Sequence, residues 1–391
     1  MFLVYVSGIL ALILALALIS VYFLLDSEHR KTIYKFLTLA DLLTILILVA
    51  GFILRANFPE WLAAAFGSFM SVFFMTQLIC GGLVVTALIV RAIYRKFHKP
   101  ATFSPARRRA LQWGLFYPLM ALATSLYGNR IERLTEVENF YDIPIKNLPP
   151  ELENFKIAQI SDVHLGAYFS LERLEKLLQR IADAKPDLLA ITGDIFDDKK
   201  INAQAVQLVD SFCDKFKFGI YYIHGNHEHF RGIASIEAEL HKTKIHWLVN
   251  SSENVTSKLY MLGVDYPPSS PVMSSGGRGE EDEYFFQQKR DFVEKSLAGV
   301  PYDAVCVLMA HHPEFIDDGA EKNIPLTLTG HTHGGQIGFL GLSLLPVFKY
   351  TRGMVRNGDS FGYVHVGNGS WFPFRLGCSP EIAYFILKKN L

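Results

Sequence analysis

Two kinds of hydrophobic pattern meet near residue 128. Before it, apolar residues come in long runs: Phe2 to Leu25, roughly Phe36 to Leu54, a stretch within Trp61 to Val90, and Ala110 to Tyr127. A helix needs about 20 consecutive apolar residues to cross the hydrocarbon core of a bilayer. The runs therefore predict an all-α transmembrane bundle with helices over 2–25, 36–54, 62–90 and 110–127. No Lys or Arg precedes the first run and no small-residue cleavage site follows it, which argues against a removed signal peptide. Gly67, Gly81 and Gly82 in the third run are small residues that let helices approach closely in lipid. The fourth run is the shortest and carries Gln112, Pro118, Thr124 and Ser125.

After a stretch read as a linker, 128–153, the period changes. Phe155–Ile160, Asp187–Thr192, Phe218–Ile223, Tyr302–Met309 and Pro325–Thr329 are short apolar runs that predict buried strands. Leu171–Ala184 and Ala203–Phe212 place apolar residues at helical spacing. The alternation predicts an α/β domain over 154–391, large enough for a packed core. Tyr266 to Asp282 is rich in Pro, Ser, Gly and acid and reads as a mobile loop.

Composition adds orientation. Formal net charge is zero, which argues against a general nucleic-acid partner. Cys80, Cys213, Cys306 and Cys378 show no paired spacing, so neither a disulfide framework nor a zinc ribbon is indicated. The loops around Arg30, Lys31 and Lys35, and from Arg91 to Arg109, are basic, and the latter contains no acid. The positive-inside rule puts both in the cytoplasm. If the fourth run spans, the α/β domain lies outside the cytoplasm; if that run lies in the interface, the domain is cytoplasmic. Ser104-Pro-Ala-Arg-Arg-Arg also has the look of a twin-arginine export signal, but in a chain already inserted by three helices a basic stop before a helix is the preferred reading.

Each predicted strand ends in polar, metal-competent residues. In order these are Asp162-Val-His164, Gly193-Asp194-Ile-Phe-Asp197, Gly225-Asn226-His227-Glu228, His311-His312-Pro313 and Gly330-His331-Thr-His333. In open α/β sheets, sites form beyond the carboxyl ends of strands, so these turns are expected to converge. One such cluster carries little weight, but five in succession without a matching supply of interleaved Lys or Arg call for metals, because buried charges need partners.

The succession D-x-H, G-D-x-x-D, G-N-H-E, H-x-P and G-H-T-H, from about Phe155 to the chain's end, resembles the calcineurin-like metallophosphoesterase superfamily. The resemblance implies a four-layer αββα sandwich and a binuclear metal centre of Mn, Fe, Zn or Co. Carried over by motif, Asp162, His164 and His333 hold one ion and Asn226, His311 and His331 the other, with Asp194 bridging. His227 then faces the scissile ester as proton donor, and Asp197 orients it. His312 reads as a supporting or surface residue, His224 as a strand residue near the site, and Glu228 and His229 as structural. Arg375 and Arg352 are candidates for substrate phosphate. The stretch from Arg375 to Ile382 also resembles the bacterial membrane-anchored branch.

The expected function is a membrane-anchored phosphoester hydrolase that uses a metal-bound hydroxide on a lipid-linked or membrane-proximal phosphoester or pyrophosphate. The anchored branch includes UDP-diacylglucosamine pyrophosphohydrolases of lipid A synthesis, a reaction that requires a cytoplasmic domain. The alternative is a membrane sensor or scaffold whose phosphoesterase fold only binds. The localisation expected is a multi-pass inner or cytoplasmic membrane protein with an extracytoplasmic catalytic domain and the lipid bilayer as partner. Reporters active on one side of the membrane, fused after Asn129 and after Leu391, should both report the outside; two cytoplasmic signals would overturn this topology and favour the nucleotide-activated substrate.

Overall fold

The computed structural model describes residues 2–24, 27–54, 59–97, 116–268, 280–344, 346–370 and 372–390. They form two compact units, Met1–Ile131 with Phe372–Phe374, and Glu132–Trp371 with Arg375–Leu391.

The first unit is helical: α1 (Phe2–Leu24), α2 (Ser27–Leu54), α3 (Glu60–Phe97) and α4 (Phe116–Arg130). Among the described residues one helix, Trp61–Phe97, is long and apolar enough to cross a membrane; Gly8–Leu24 is a shorter apolar helix. The basic stretch from Arg91 was expected to be loop, yet α3 runs on through Arg95 and Lys96 to Phe97. Lys and Arg are good helix formers, and cations at a helix C-terminus complement its dipole. The remainder of that basic stretch, 98–109, and the start of the fourth run lie outside the described residues. Gly81 admits α1: a Cβ there would lie 3.1 Å from the Leu16 backbone. Asp41, the one acid within the first three runs, is buried and accepts a hydrogen bond from Gln77 Nε2 at 2.9 Å, joining α2 to α3. Interhelical polar pairs of this kind give helices a directional contact where lipid offers none.

The second unit is built on two six-stranded sheets. Its first sheet uses β1 (Val137–Ile145), β2 (Lys156–Ile160), β3 (Leu188–Ile191), β4 (Ile220–Tyr222), β5 (His246–Trp247) and β14 (Glu381–Lys389), in the order β1-β14-β2-β3-β4-β5. The second uses β6 (Ser251–Thr256), β7 (Leu259–Gly263), β8 (Val305–Met309), β9 (Leu326–Thr329), β12 (Gly353–Asn357) and β13 (Ser360–Val364), in the order β12-β13-β9-β8-β7-β6. The sheets meet through Ile157, Leu188 and Ala190 on one side and Met261, Val307 and Leu328 on the other. The outer face of the first sheet is covered by helices α5 (Leu171–Asp183), α6 (Asn202–Ser211) and α8 (Ile233–Leu240), which place Leu178, Val206 and Ile236 against Ile160 and Ile191. Outside the second sheet, Val293 of α9 (Glu280–Leu297) and Phe315 of α10 (Phe315–Glu321) cover Leu262 and Leu308. With both faces of each sheet covered, the central strands have no polar face to show, which is why they read as unbroken apolar runs. The layers are those of an αββα sandwich.

Two boundaries shift. The stretch read as linker contains β1, which pairs in parallel with β14 from Val137↔Glu381 to Ile145↔Lys389. Its alternating sequence, Val-Glu-Asn-Phe-Tyr-Asp-Ile-Pro-Ile, is that of an edge strand with Pro tolerated near one end. The stretch read as a loop to Asp282 ends sooner, because α9 begins at Glu280; residues 269–279 lie outside the described residues.

Candidate metal centre

β2, β3 and β4 are parallel neighbours in the first sheet, and β8 and β9 are parallel neighbours in the second. The turns after these strands carry the motif residues, and they come together. One donor atom each from Asp162, His164 and His333 fall within 4.8 Å of one another; so do those of Asp194, His311 and His331, and of His164, Asp194 and His227. Asn226 joins the second group, its Oδ1 lying 2.9 Å from His331 Nδ1.

Backbone strain marks the same residues. Asp162, His164, Asp194, His331 and His333 all have positive φ, between 50° and 73°. A non-glycine residue held there costs about 1–3 kcal/mol and persists only where the surroundings over-determine it. The surroundings here are chiefly hydrogen bonds. Buried Glu228 accepts from the backbone N–H groups of Asp194, Ile195, Phe196 and Gly225, at 2.8–3.0 Å. Both oxygens of Asp162 receive the N–H of His331 at 3.0 Å, which ties the first sheet's turn to the second's. Gly193 is required by both φ and space: φ is +87°, and a Cβ would lie 2.6 Å from Gly225 N and 2.8 Å from His311 Nδ1.

The donor chemistry fits cations. His311 Nδ1 donates to the Thr192 carbonyl at 2.7 Å, so Nε2 is the atom it turns toward the acids, 3.2 Å from Asp194 Oδ2. That nitrogen is buried and has no hydrogen-bond partner. His164 Nε2 and His333 Nε2 face each other at 3.0 Å, while His164 Nδ1 is held by Asp197 Oδ2 at 3.2 Å. An imidazole whose other nitrogen is fixed by a carboxylate is the arrangement by which proteins orient a metal ligand. Two ligands about 2.1 Å from one tetrahedral ion sit roughly 3.4 Å apart, the scale of these separations.

Electrostatics agree. Burial alone would raise the Asp194 carboxyl, but His311, His164 and His227 hold it well below the ordinary carboxylate range. Burial also opposes a proton on His311, yet Asp194 and Asp162 lift that imidazole to about 10. Burial first and His311 next push His331 down to about 3, and burial and His164 depress His333. His331 and His333 are thus kept neutral, as ligands of a divalent ion must be, while the carboxylates beside His311 demand a positive charge that a proton or an ion can supply.

His227 is the more open member, its side chain 27% exposed, with Nδ1 3.0 Å from Asp197 Oδ1. Asp197 was expected to orient His227 alone; it also holds His164, and it receives Arg231 Nε at 2.6 Å. Burial disfavours its charged form, but these donors more than offset that and keep it ionised. His312 is not at the surface. It is fully buried among Phe285, Phe348 and His331, and burial keeps it neutral.

Arg375 departs from expectation. It is completely buried and donates to the carbonyls of Val366, Gly367, Gly369 and Cys378, so it clamps the turn after β13 and has no edge to offer a substrate. A guanidinium carries five donors in a rigid fork, and backbone carbonyls satisfy them here. Arg352 is half-buried; Nη1 donates to Gly377 O, and Nε and Nη2 have no partner. Sequence reasoning missed Tyr266, whose ring lies 5.5 Å from that of His331 and 5.9 Å from that of His311. It stands at the start of a polar stretch, where only its aromatic ring could have signalled a contact.

Comparison with known proteins follows the same boundary. A family model described as calcineurin-like phosphoesterase matches residues 155–335. An uncharacterised metallophosphoesterase of Bacillus subtilis (strain 168) is 30% identical over 295 residues, which cover 72% of this chain and 98% of that protein. A Bos taurus protein described as a transmembrane protein with metallophosphoesterase domain is 26% identical over 262 residues, 63% of this chain and 56% of the bovine one. This chain thus spans about half the length of that relative. An uncharacterised metallophosphoesterase of Helicobacter pylori (strain J99) is 27% identical over 304 residues, with 74% of each chain covered.

The Glu228 hydrogen bonds yield a test. Glu228→Gln presents an NH₂ to part of a ring of N–H donors, at about 1–3 kcal/mol for each buried group left unsatisfied. The thermal transition of the second unit should fall and bound metal with it. A variant with wild-type transition and metal content would show that the carboxylate does not hold the site.

Proposed function

Because this chain belongs to the calcineurin-like phosphoesterase family and is a metal-dependent phosphohydrolase, we propose that it hydrolyses a lipid-linked or membrane-proximal phosphoester or pyrophosphate at a site holding two divalent ions. The observation that carries the reading is the convergence of Asp162, His164, Asp194, Asn226, His311, His331 and His333, with His227 more open beside them. In this reading Asp162, His164 and His333 hold one ion and Asn226, His311 and His331 the other, and Asp194 bridges. Bound there, two divalent ions supply the positive charge that clamps phosphate and the acidity that readies a water for attack.

The chain's own residues supply the rest. His227, carrying a proton, stands where it can donate to the leaving oxygen, and the Asp197 carboxylate keeps it protonated and oriented. Burial lowers the His227 pKa, but Asp197 and Asp194 outweigh burial and raise it above 6.5. Arg352 stays in the reading as a phosphate contact on its charge alone, since its Nε and Nη2 are buried and its Nη1 donates to Gly377 O.

An amphiphilic substrate is supported by surface chemistry beside the site. Directly after His333–Gly335 the chain forms a small hairpin, β10 (Gly338–Phe339) and β11 (Leu342–Ser343), which exposes Phe339, Leu340, Leu342 and Leu344. Clustered exposed apolar side chains mark contact surfaces on soluble units. The apolar helix Trp61–Phe97 in the same chain supports an anchor at a bilayer. The anchor is proposed to comprise four spans, with the catalytic unit outside the cytoplasm, as the charge pattern predicts. A hydrolysis panel of phosphomonoesters, phosphodiesters and nucleotide pyrophosphates tests the substrate class; UDP-diacylglucosamine belongs in it as the substrate of the opposite topology, with the catalytic unit in the cytoplasm. A binding-only scaffold is the second reading, and it lacks the feature that would favour it, a missing donor in the set.

Two outcomes follow. His227→Ala should lose about 10²–10⁴-fold in kcat, with the smaller loss on nitrophenyl esters, whose leaving group needs little protonation; an equal loss on every leaving group argues against proton donation. The pH profile gives the second. A donor whose pKa is raised keeps its proton past the ordinary imidazole value, and activity falls only as pH rises through the raised value. Asp197→Asn removes the anion beside Nδ1, so the alkaline limb of kcat should move to lower pH. A limb that stays in place would detach Asp197 from the proton donor.

A further inference from the structure

A second group of metal-competent side chains lies outside the set used so far. His224 lies just after β4, His229 sits on the short helix α7 (Asn226–Arg231), and Asp265 follows β7 of the other sheet. One donor atom from each falls within 4.8 Å of the others. His229 Nε2 is 2.9 Å from Asp265 Oδ1, and His224 Nδ1 is 3.5 Å from the same oxygen. Asp265 is itself fixed, its N–H donating to Asn250 Oδ1 at 3.0 Å while Oδ1 accepts the Tyr266 N–H at 2.8 Å.

A hydrogen-bonded His–Asp pair explains His229 and Asp265 but not His224. That ring is fully buried, and neither of its nitrogens has a hydrogen-bond partner. Leaving a buried polar group unsatisfied costs about 1–3 kcal/mol. The ring is closed in by Tyr222 and Trp247, with centroids 5.7 and 5.3 Å away. Its Nδ1 edge turns toward Asp265, too poorly aligned for a hydrogen bond but at the spacing of two ligands on one small cation.

We propose that His224, His229 and Asp265 form a third divalent-cation site, separate from the dinuclear set, for a zinc-class ion completed by water. Two imidazoles and a carboxylate make a donor set that suits zinc. Its role follows from the elements it joins. α7 carries Asn226 and His227, so an ion here fastens the helix bearing the proton donor to the end of a strand in the opposite sheet. The site is structural to the catalytic turn and takes no part in bond breaking.

The test uses the full chain purified in detergent, stripped with chelator and reloaded with zinc. His229→Ala and Asp265→Asn should each bind one ion fewer per chain than wild type, and melt at lower temperature only when zinc is present. Asp194→Asn should lower stoichiometry independently, and the losses should add in the double variant. If Asp194→Asn changes nothing, the dinuclear reading fails while this one stands. A direct readout covers a variant that folds poorly: cobalt(II)-loaded His229→Cys should show a thiolate-to-cobalt charge-transfer band absent from wild type. Unchanged zinc stoichiometry in folded His229→Ala, or no such band in folded His229→Cys, overturns the proposal.

Discussion

The catalytic unit depends on one buried carboxylate that touches no substrate. Glu228 gathers four backbone N–H groups from the turns after β3 and β4, and those turns carry Asp194, Asp197, Asn226 and His227. An isolated carboxylate in a dry interior is expensive, whereas one accepting several N–H bonds becomes a rigid hub. Hydrogen bonds of this strength are what can hold Asp194 at a positive φ and keep Gly225 against it. Geometry at the site is therefore set by backbone, and the side-chain donors inherit their aim from it.

A second constraint is the sign of the charge. The cluster contains two carboxylates and several imidazoles, and the buried cation nearest in kind, Arg375, is wholly occupied with the carbonyls of the turn after β13. Asp197 illustrates how the charge is shared, since its two oxygens divide between an imidazole in the ligand set and the imidazole that faces outward. In the function proposed here, that one residue couples ion binding to proton donation. Asp162 does the same for architecture, linking turns from separate sheets through the His331 N–H.

Much of this was legible in the chain. The central strands β2, β3, β4, β8 and β9 stood out because burial on both faces makes them apolar throughout, and the residues that cluster stood out because each ends such a strand. Less legible was what depends on distant partners. β1 looks like a polar linker until β14 is laid beside it, and Arg375 looks like a phosphate ligand until the carbonyls of residues 366–378 are folded round it. The αL backbone at Asp162, His164, Asp194, His331 and His333 has no signature in residue type, because non-glycine residues there are held by context. Glu228 was visible as part of a motif, but its role required knowing which N–H groups lacked partners.

The pairing of β14 between β1 and β2 has a consequence for how the unit is made. Asn139 on β1 bonds Glu381 on β14 across 242 residues of chain, so the first sheet cannot close until its most distant strand exists. At synthesis rates of roughly 5–20 residues per second, that is a delay of about 12–48 s during which β1 lacks its only neighbour in the sheet and β2 has β3 alone. Non-local pairing of this kind also folds slowly once the strand arrives. The first sheet, and the turn after β2 that carries Asp162, thus reach their final form only once the chain is nearly complete.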